Sequence, residues 1–336
     1  MKIMKKTTYL IVISVITIVC VIAGSIYHFG DFELGWGFPW GFPWGAVKET
    51  KVTSVETDDG KVTADTVDLD EFSYMDIDLR IMDVMIEQGD SYSISYECSK
   101  KKFVPVIIVA DDVLSVHQRH DKLGWNTGNA KCMMTITVPE KTFEEVKVSN
   151  DTGDISIINI SGKTFTISAD TGDVAMTGTD GQSLELYVDT GDLEIAECTF
   201  TKTRISEDTG DVKLNNSDFG DTVITADTGD IKITESKLEN AEISDNTGDI
   251  KLMDCSFGIS SCDIKIMSDT GDVMVEGFDD LHNYNTDFST DMGSVSVNGT
   301  NFKKHYYEDA VISSDTDNNN RFTITTDIGD VVVNQK

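Results

Sequence analysis

The amino-acid sequence predicts an all-β protein, a single parallel β-solenoid of 19-residue units that is preceded by one N-terminal transmembrane helix. Three observations lead to this prediction. A short motif, Asp-Thr-Gly-Asp followed by an aliphatic residue, recurs at a constant interval. Apolar and polar residues alternate at fixed positions after each motif, as in strands with one buried face. An almost uninterrupted apolar stretch near the N-terminus is about as long as a bilayer-spanning helix.

The apolar stretch covers residues 9–27 and follows three lysines among the first six residues. The positive-inside rule therefore predicts that residues 1–8 lie in the cytoplasm and that the rest of the chain lies outside a bacterial cell, as in a single-pass signal anchor. The alternative is a cleaved signal peptide, with Ala23-Gly24-Ser25 as the small-residue cleavage site. The length of the apolar run exceeds that of an ordinary signal peptide and favours the anchor.

Residues 28–69 are predicted to form a stalk and linker that is rich in glycine and aromatic residues. The segment from Trp36 to Gly45 alternates Trp or Phe with Gly and Pro. Proline and glycine break helices, and tryptophan prefers the bilayer interface, so we expect a stalk that skims the membrane. A binding motif for a partner membrane protein is the alternative interpretation of this segment.

The composition limits the classes of partner. The 336 residues carry a formal net charge of −32, so a folded domain must spread its carboxylates or neutralise them with cations, and nucleic acid is excluded as a partner. The six cysteines have no metal-site spacing. Cys255 and Cys262 could close a small loop in an oxidising compartment, but burial as small hydrophobic side chains is the favoured interpretation.

The motif defines a repeat domain over residues 70–336, with regular repeats over 146–336. Its leading residue recurs with a strict 19-residue period as far as Asn246, and the three longer intervals that follow predict loop insertions into the same unit. The leading residues are Asp151, Asp170, Asp189, Asp208, Asp227, Asn246, Asp269, Asp291 and Asp327.

Each unit contains two predicted strands that face the core. With the leading residue numbered zero, positions 4 and 6 are apolar, as in Ile155 and Ile157, and positions 14 and 16 repeat the alternation. Positions 9 and 11 carry a weaker apolar set, so a coil with two or with three sides is compatible with the pattern. An antiparallel meander is the alternative fold, but it would need more strands than the ~10 at which open sheets curl or split.

The corner motif has a structural and an ionic interpretation. Glycine at position 2 supplies a positive φ, and the leading aspartate can form an Asx-turn. Carboxylates at position 3 would stack ~4.8 Å apart and repel by about 1 kcal/mol per neighbour. Backbone N–H groups could offset this repulsion, as could Ca²⁺ shared between turns as in repeat-in-toxin solenoids, although the second glycine and nine-residue period of that family are absent. The candidate calcium ligands are Asp151, Asp154, Asp170, Asp173, Asp189, Asp192, Asp208, Asp211, Asp227 and Asp230.

The region before the first motif also predicts strands. Alternating residues from Glu71 to Cys98, on both sides of a Gly89-Asp90 turn, predict a hairpin. Val146 and Val148 occupy positions 14 and 16 of a preceding unit. We therefore expect the solenoid to begin before Asp151 and to form one domain with this region.

The layout resembles that of the bacterial DUF4097 proteins. The resemblance rests on the N-terminal anchor, the strand pair with its Gly-Asp turn, the Thr137–Pro139 exit and the serial Thr-Gly-Asp-aliphatic repeats, and it covers residues 70–333. These β-strand-repeat proteins are described as candidate adhesins and are similar to LiaG-like envelope proteins. The resemblance implies a repeat fold and an envelope location, and it brings no catalytic residues.

We therefore expect a non-enzymatic, membrane-anchored, cell-surface β-repeat protein, adhesin-like or structural, with an envelope protein or a cell-wall ligand as partner. It has no predicted catalytic residue and no cofactor apart from the candidate calcium. An envelope-stress accessory protein that docks on a membrane partner is the alternative. A polysaccharide-active β-helix enzyme is a third interpretation, in which Arg204 would be the asymmetric residue, but a uniform array does not supply one asymmetric site.

Overall fold

The computed structural model describes residues 55–56, 61–118, 130–258, 260–278, 281–302, 310–314 and 319–336. The predicted anchor and the aromatic stalk lie outside these residues. Within them, no helix is both long enough and apolar enough to cross a membrane. The described chain consists of strands β1–β29 and two short 3-10 helices, at Lys101–Phe103 and Leu281–Asn283.

One sheet, called sheet A, contains the strands that directly follow the corner motif and further strands at both of its ends. In spatial order these strands are β1 (Val55–Glu56), β2 (Val62–Asp68), β5 (Ser93–Cys98), β8 (Cys132–Pro139), β4 (Asp83–Gly89), β10 (Ile155–Ile158), β12 (Val174–Thr177), β14 (Leu193–Ala196), β16 (Val212–Asn215), β18 (Ile231–Thr234), β20 (Ile250–Met253), β23 (Val273–Phe278), β29 (Val331–Gln335), β25 (Val295–Val297) and β26 (Thr300–Phe302).

The second sheet, sheet B, collects the longer strands that lead into each motif. In spatial order these strands are β27 (Ala310–Ser314), β24 (Asn285–Met292), β28 (Arg321–Ile328), β22 (Asp263–Thr270), β19 (Lys237–Thr247), β17 (Asp218–Thr228), β15 (Thr199–Thr209), β13 (Asp180–Thr190), β11 (Ser161–Ala169), β9 (Thr142–Asn150), β3 (Tyr74–Leu79), β7 (Val113–His117) and β6 (Val106–Ala110), and β21 (Ser256–Phe257) pairs with β19.

The repeat period is the pairing register of both sheets. Ile155 pairs with Val174 in sheet A, and Ser161 pairs with Asp180 in sheet B, in each case in parallel and with an offset of one whole unit. Each unit therefore adds one rung, defined as one strand in each sheet. This register confirms the parallel solenoid and excludes the antiparallel meander for the regular array. Positions 9 and 11 do not form a third side. Position 9 lies in the turn that leads from a sheet A strand to the next sheet B strand, and position 11 lies within the sheet B strand.

The core lies between the two sheets as columns of equivalent side chains. Ile157 and Ile167 are fully buried, and the equivalent positions of later rungs repeat this burial. At position 11, small and large residues complement each other between rungs: a Cβ on Gly181 would lie 2.7 Å from the Phe200 ring. Glycine at that position leaves room for the phenylalanine of the next rung, whose ring makes an edge-to-face contact with Phe165 at 5.6 Å.

The N-terminal rungs confirm that the solenoid starts before the first motif, because Val84 in β4 pairs in parallel with Ile155. The predicted hairpin is wrong. β4 and β5 are not neighbours, since β8 lies between them, parallel to β4 and antiparallel to β5. The chain forms β5, β6 and β7 before it forms β8, and β8 then pairs with β4 on one side and with β5 on the other. The turn after Gly89 therefore joins β4 and β5, which do not pair with each other. β2 lies in sheet A although its residues precede position 70.

The C-terminal rungs are not stacked in sequence order. β28 and β29 lie between the rung of β22 and β23 and the rung of β24 and β25. The longer interval before Asp269 is a loop insertion as predicted, and it lies between β21 and β22, which both pair with β19. The interval before Asp327 also contains β26 and β27. These two strands pair antiparallel with the terminal rung and cover its edges, which protects an otherwise open parallel array.

Candidate functional site in the acidic corners

The corner backbone accepts only glycine at position 2 of the motif. Gly172 has a φ of 142°, and a Cβ on it would lie 2.2 Å from the carbonyl oxygen of Gly153. The same close approach recurs in the following rungs up to Gly329. Positive φ and the absence of a side chain therefore allow the corners of successive rungs to stack in direct contact.

The aspartates at position 3 form a continuous hydrogen-bonded row, which we call the aspartate ladder. The Oδ1 atom of each accepts a hydrogen bond of 2.7–3.1 Å from the backbone N–H of the equivalent residue in the next rung. These N–H groups offset the carboxylate repulsion, as one of the two sequence-based explanations predicts. The accepting residues are Asp83, Asp154, Asp173, Asp192, Asp211, Asp230, Asp249, Asp272 and Asp330.

Lysines neutralise part of the ladder. The Nζ atom of Lys213 lies 3.1 Å from Oδ2 of Asp211 and 3.5 Å from Oδ2 of Asp192. The N–H of Asp230 and this lysine hold the pKa of Asp211 below its ordinary value. A similar pair, with Lys251 at 2.9 Å, lowers the pKa of Asp249. Asp211 and Asp249 are therefore ionised at neutral pH.

The leading aspartates form a separate row on the outer edge of the corner. Asp170, Asp189 and Asp208 are exposed and, unlike the predicted Asx-turn, accept no hydrogen bond within the part of the chain that the structure describes. Within this row, the Asn246 amide donates a 3.0 Å hydrogen bond to Asp227. The candidate calcium ligands thus fall into two rows. Among the described residues no three acidic, cysteine or histidine side chains are arranged to hold a metal ion, and calcium binding stays a prediction.

Two further carboxyls lie inside the corner, at position 18 of the unit. Glu207 is 1% exposed and Asp245 is 2% exposed, in a column that elsewhere contains residues such as Val188. Among the residues that the structure describes, neither carboxyl oxygen of Glu207 has a hydrogen-bond partner, and the same is true of Oδ2 of Asp245. Burial, reinforced by the charge of nearby aspartates, raises the pKa of Glu207 to about 8 and that of Asp245 to about 6.

Equivalent residues show what position 18 requires. The Asn150 amide donates hydrogen bonds to the carbonyl oxygens of Met82 and Gly153, at 2.8 and 2.9 Å. The Thr326 hydroxyl donates to the Gly271 carbonyl at 3.2 Å. A polar side chain at this position can therefore donate a hydrogen bond to a glycine carbonyl of the corner. A carboxyl can donate only when it is protonated, which agrees with the raised pKa of Glu207.

Sequence reasoning missed these carboxyls, although a signal was present. The inward alternation at positions 14 and 16 continues to position 18, where Ala169, Val188 and Ala226 are apolar and Glu207 and Asp245 break the pattern. A charged residue at a core position of an otherwise regular unit is an indication of a perturbed group.

An open groove of about 760 Å³ lies on the outer face of sheet A, beside the irregularity in β2 after Ala64. Met85 and Met133 form its apolar floor, and Met133 is more than half exposed. Polar side chains such as Ser95 and Glu97 line its edge. The groove is a concave surface outside the regular array, whereas the acidic corners repeat along the array.

Comparisons with known proteins identify the fold family. A family model described as Toastrack DUF4097 matches residues 72–256. No curated protein matches the sequence of this chain. A solved structure of a candidate adhesin from Bacteroides fragilis is 16% identical, with 82% of this chain and 96% of that chain covered and a TM-score of 0.45. A candidate lipid-binding protein from Parabacteroides distasonis is 13% identical, with coverage of 84% and 99% and a TM-score of 0.47. A candidate adhesin from Parabacteroides merdae is 14% identical, with coverage of 84% and 98% and a TM-score of 0.41.

Proposed function

Because this chain belongs to the Toastrack DUF4097 family, we propose that it is a non-enzymatic β-repeat rod on the bacterial cell surface, tethered to the membrane by residues 9–27. The observation that carries this proposal is the aspartate ladder. The same side chain makes the same bond to the next rung at nine successive steps, from Asp83 to Ser294.

The hydrogen bonds of the ladder and those of the two parallel sheets join successive rungs into a stiff rod. The described chain contains eleven rungs, from the pair β7 and β8 to the pair β24 and β25. At the ~4.8 Å spacing of neighbouring strands, the rungs extend over roughly 50 Å. Each rung contacts its neighbours through both sheets and through the corner, so the rod needs no other support along its length.

The surface of the rod is repetitive. Exposed aspartate and threonine side chains, such as Asp189 and Thr190, return with the same spacing in the rungs from Asp170 to Thr228. A periodic row of this kind suits a polymeric or clustered ligand, because many weak contacts add up when both partners repeat. Catalysis instead requires a nucleophile, an acid or base and a charge-stabilising group gathered at one place. The repetition therefore supports an adhesive or structural role.

A cell-based comparison tests the proposal against the accessory-protein alternative. One strain carries the full chain, the second lacks the two units from Asp189 to Ala226, and the third has alanine at Trp36, Trp40 and Trp44. We expect the second strain to lose adhesion to cell-wall-coated surfaces and the third to keep it, at equal surface amounts of the protein. Loss of the phenotype in the third strain with retention in the second would instead assign the function to docking by the stalk.

A further inference from the structure

Cys98 and Cys132 lie opposite each other on two neighbouring strands of sheet A. Cys98 is the last residue of β5, Cys132 is the first residue of β8, and the two are direct partners in the antiparallel pairing of these strands. Both side chains are buried. Their wide separation in sequence gives no indication of this proximity.

The pairing geometry suits a bond between the two side chains. The Ser99 N–H donates a 2.8 Å hydrogen bond to the Lys131 carbonyl, so the adjacent pair of residues is a hydrogen-bonded pair. Hydrogen-bonded and non-hydrogen-bonded pairs alternate along an antiparallel ladder. Cys98 and Cys132 therefore form a non-hydrogen-bonded pair, in which Cα atoms lie about 4.5 Å apart and side chains are closest. This separation falls within the range of about 4.4–6.8 Å that disulfides span.

The Sγ–H of Cys98 donates a 3.5 Å hydrogen bond to the carbonyl oxygen of Phe103. The proximity of the two thiols lowers the pKa of Cys132 and raises the pKa of Cys98. The thiol that ionises more readily supplies the attacking thiolate in thiol–disulfide exchange. The buried thiols of Cys198, Cys255 and Cys262 differ, because burial raises the pKa of each to about 11.

We propose that Cys98 and Cys132 are an oxidation site that forms an intramolecular disulfide with a small-molecule or protein disulfide as the oxidant. The thiolate of Cys132 attacks one sulfur of the oxidant and releases its other sulfur as a thiolate. The Cys98 sulfur, after loss of its proton, then attacks Cys132 Sγ and releases the second thiolate. Two S–H bonds are replaced by one S–S bond, and the oxidant takes up two electrons and two protons as two thiols.

The disulfide joins the edge region to the solenoid. β5 carries the antiparallel strands β2 and β1, and β8 is the outermost parallel strand of sheet A at the N-terminal end. The bond closes a loop over residues 99–131, which reduces the freedom of the unfolded chain and resists fraying of the two strand ends. Formation in the cell rests on the proposed location of the domain outside the reducing cytoplasm.

The full chain in detergent is incubated with oxidised glutathione under native conditions, then denatured, alkylated and mapped by peptide mass. We expect two fewer alkylated cysteines than in the reduced chain and a linked peptide that contains Cys98 and Cys132. The variants Cys98→Ser and Cys132→Ser should lose this effect, whereas Cys198→Ser should retain it. The oxidised chain should also melt several degrees higher than the reduced chain.

The outcomes separate this inference from the proposed function. All cysteines still alkylated after native oxidation, or a linked peptide that joins Cys255 to Cys262 instead, would overturn the assignment of the Cys98–Cys132 bond. Rapid acid quenching of intact cells before alkylation reports the state in vivo. A bond that forms with glutathione in detergent but is absent in cells would retain the site and contradict the extracellular location.

Discussion

The backbone N–H of Asp211 donates a 3.0 Å hydrogen bond to Oδ1 of Asp192, its equivalent one rung earlier. This bond explains how carboxylates stack at strand spacing without a shared cation, since each has a backbone donor aimed at it. It also explains the one serine in the row. Ser294 lies in the terminal rung β24–β25, where its N–H and hydroxyl donate to Asp330 and no later ladder rung needs its side chain as an acceptor.

Replacement of Asp192 by alanine should destabilise the domain, because the Asp211 N–H loses its acceptor. The corner is half-exposed and water can replace part of the bond, so we expect the free energy of unfolding to fall by about 1 kcal/mol. Asp189→Ala is the matched control: it removes the same charge from the same corner without removing a hydrogen bond and should change stability by less than ~0.5 kcal/mol. Denaturant unfolding of both variants measures the difference, and equal effects would contradict the structural role of the ladder.

The repeat could be predicted because it depends on local sequence. The pairing partners of the strands at the ends of the sheets could not be predicted. The 19-residue period, the strand alternation at Ile155 and Ile157 and the glycine corner all follow from residue types at fixed spacing. Strand neighbours at the ends do not, because alternation identifies a strand but not the strand that pairs with it. The prediction of a hairpin at Gly89 was wrong for this reason. The proximity of Cys98 to Cys132 likewise depends on the insertion of β8, which no local pattern indicates.

The sequence predicted which aspartates form the acidic corners but not which of them accepts the hydrogen bond. The leading aspartate was expected to form a hydrogen bond within the turn, but the aspartate at position 3 accepts the hydrogen bond instead. This bond joins two neighbouring rungs, so the sequence of a single unit does not indicate it. Glu207 is a related case. Its burial results from the inward direction of position 18, where the sheet B strand continues up to the corner.

Stability should fall as the pH rises through the range set by Glu207. Its pKa is about 8 in the folded state and about 4.3 when unfolded, so between these values the folded state binds the proton more tightly. The stabilisation is complete below about pH 4 and is lost progressively up to about pH 8, by at most ~1.4 kcal/mol per pH unit. Glu207→Gln removes the titrating carboxyl from this buried position, and we expect the variant to be more stable than the wild type at pH 8.

The comparison of pH profiles isolates this effect from the many other carboxylates. The difference in unfolding free energy between Glu207→Gln and the wild type should grow from pH 5 to pH 8 and then level off. Glu185→Gln, at an exposed position on the outer face of sheet B, should run parallel to the wild type. Asp245→Asn should show the same behaviour as Glu207→Gln over a lower window that ends near pH 6. A pH-independent difference for Glu207→Gln would contradict a protonated buried carboxyl.

Removal of divalent cations should leave the melting temperature unchanged. Each ladder carboxylate already accepts a backbone hydrogen bond, and Lys213 and Lys251 neutralise part of the row, so the folded state does not need calcium to hold the corner together. Thermal melts with a calcium chelator and with added Ca²⁺ check this expectation. A decrease of several degrees on chelation would assign a calcium site to the ladder, as expected for a ligand that binds only the folded state.

Truncation of the C-terminus should damage the interior of the stack rather than its end. Residues 321–336 form β28 and β29, which separate the rung of β22 and β23 from the terminal rung of β24 and β25. A chain that ends at residue 320 therefore leaves the terminal rung without its parallel neighbour. We expect rapid proteolysis and fast amide exchange over residues 285–302, with the regular array still protected. Protection of that segment would mean that the terminal rung can pair directly with β22 and β23.

Removal of one whole unit, Asp189 to Glu207, should leave a folded and shorter rod. The new neighbours are compatible, since Phe219 takes the place of Phe200 over Gly181, and Ser217 can take over from Cys198 as acceptor for the Thr179 N–H. Circular dichroism and thermal melts should resemble those of the wild type, with a cooperative transition.

Removal of about half a unit, Asp189 to Cys198, is the matched test of register. This deletion moves every later residue by ten positions of the unit, so that Thr201 takes the place of the corner glycine and the outward residues Lys213 and Asn215 fall on core positions 14 and 16. Their burial without partners costs several kcal/mol in total, and we expect loss of the cooperative transition. If the whole-unit and half-unit deletions unfold alike, the rungs are not interchangeable and the 19-residue unit is not the unit of stability. If both fold, the core columns tolerate a register shift that the packing of Phe200 against Gly181 forbids.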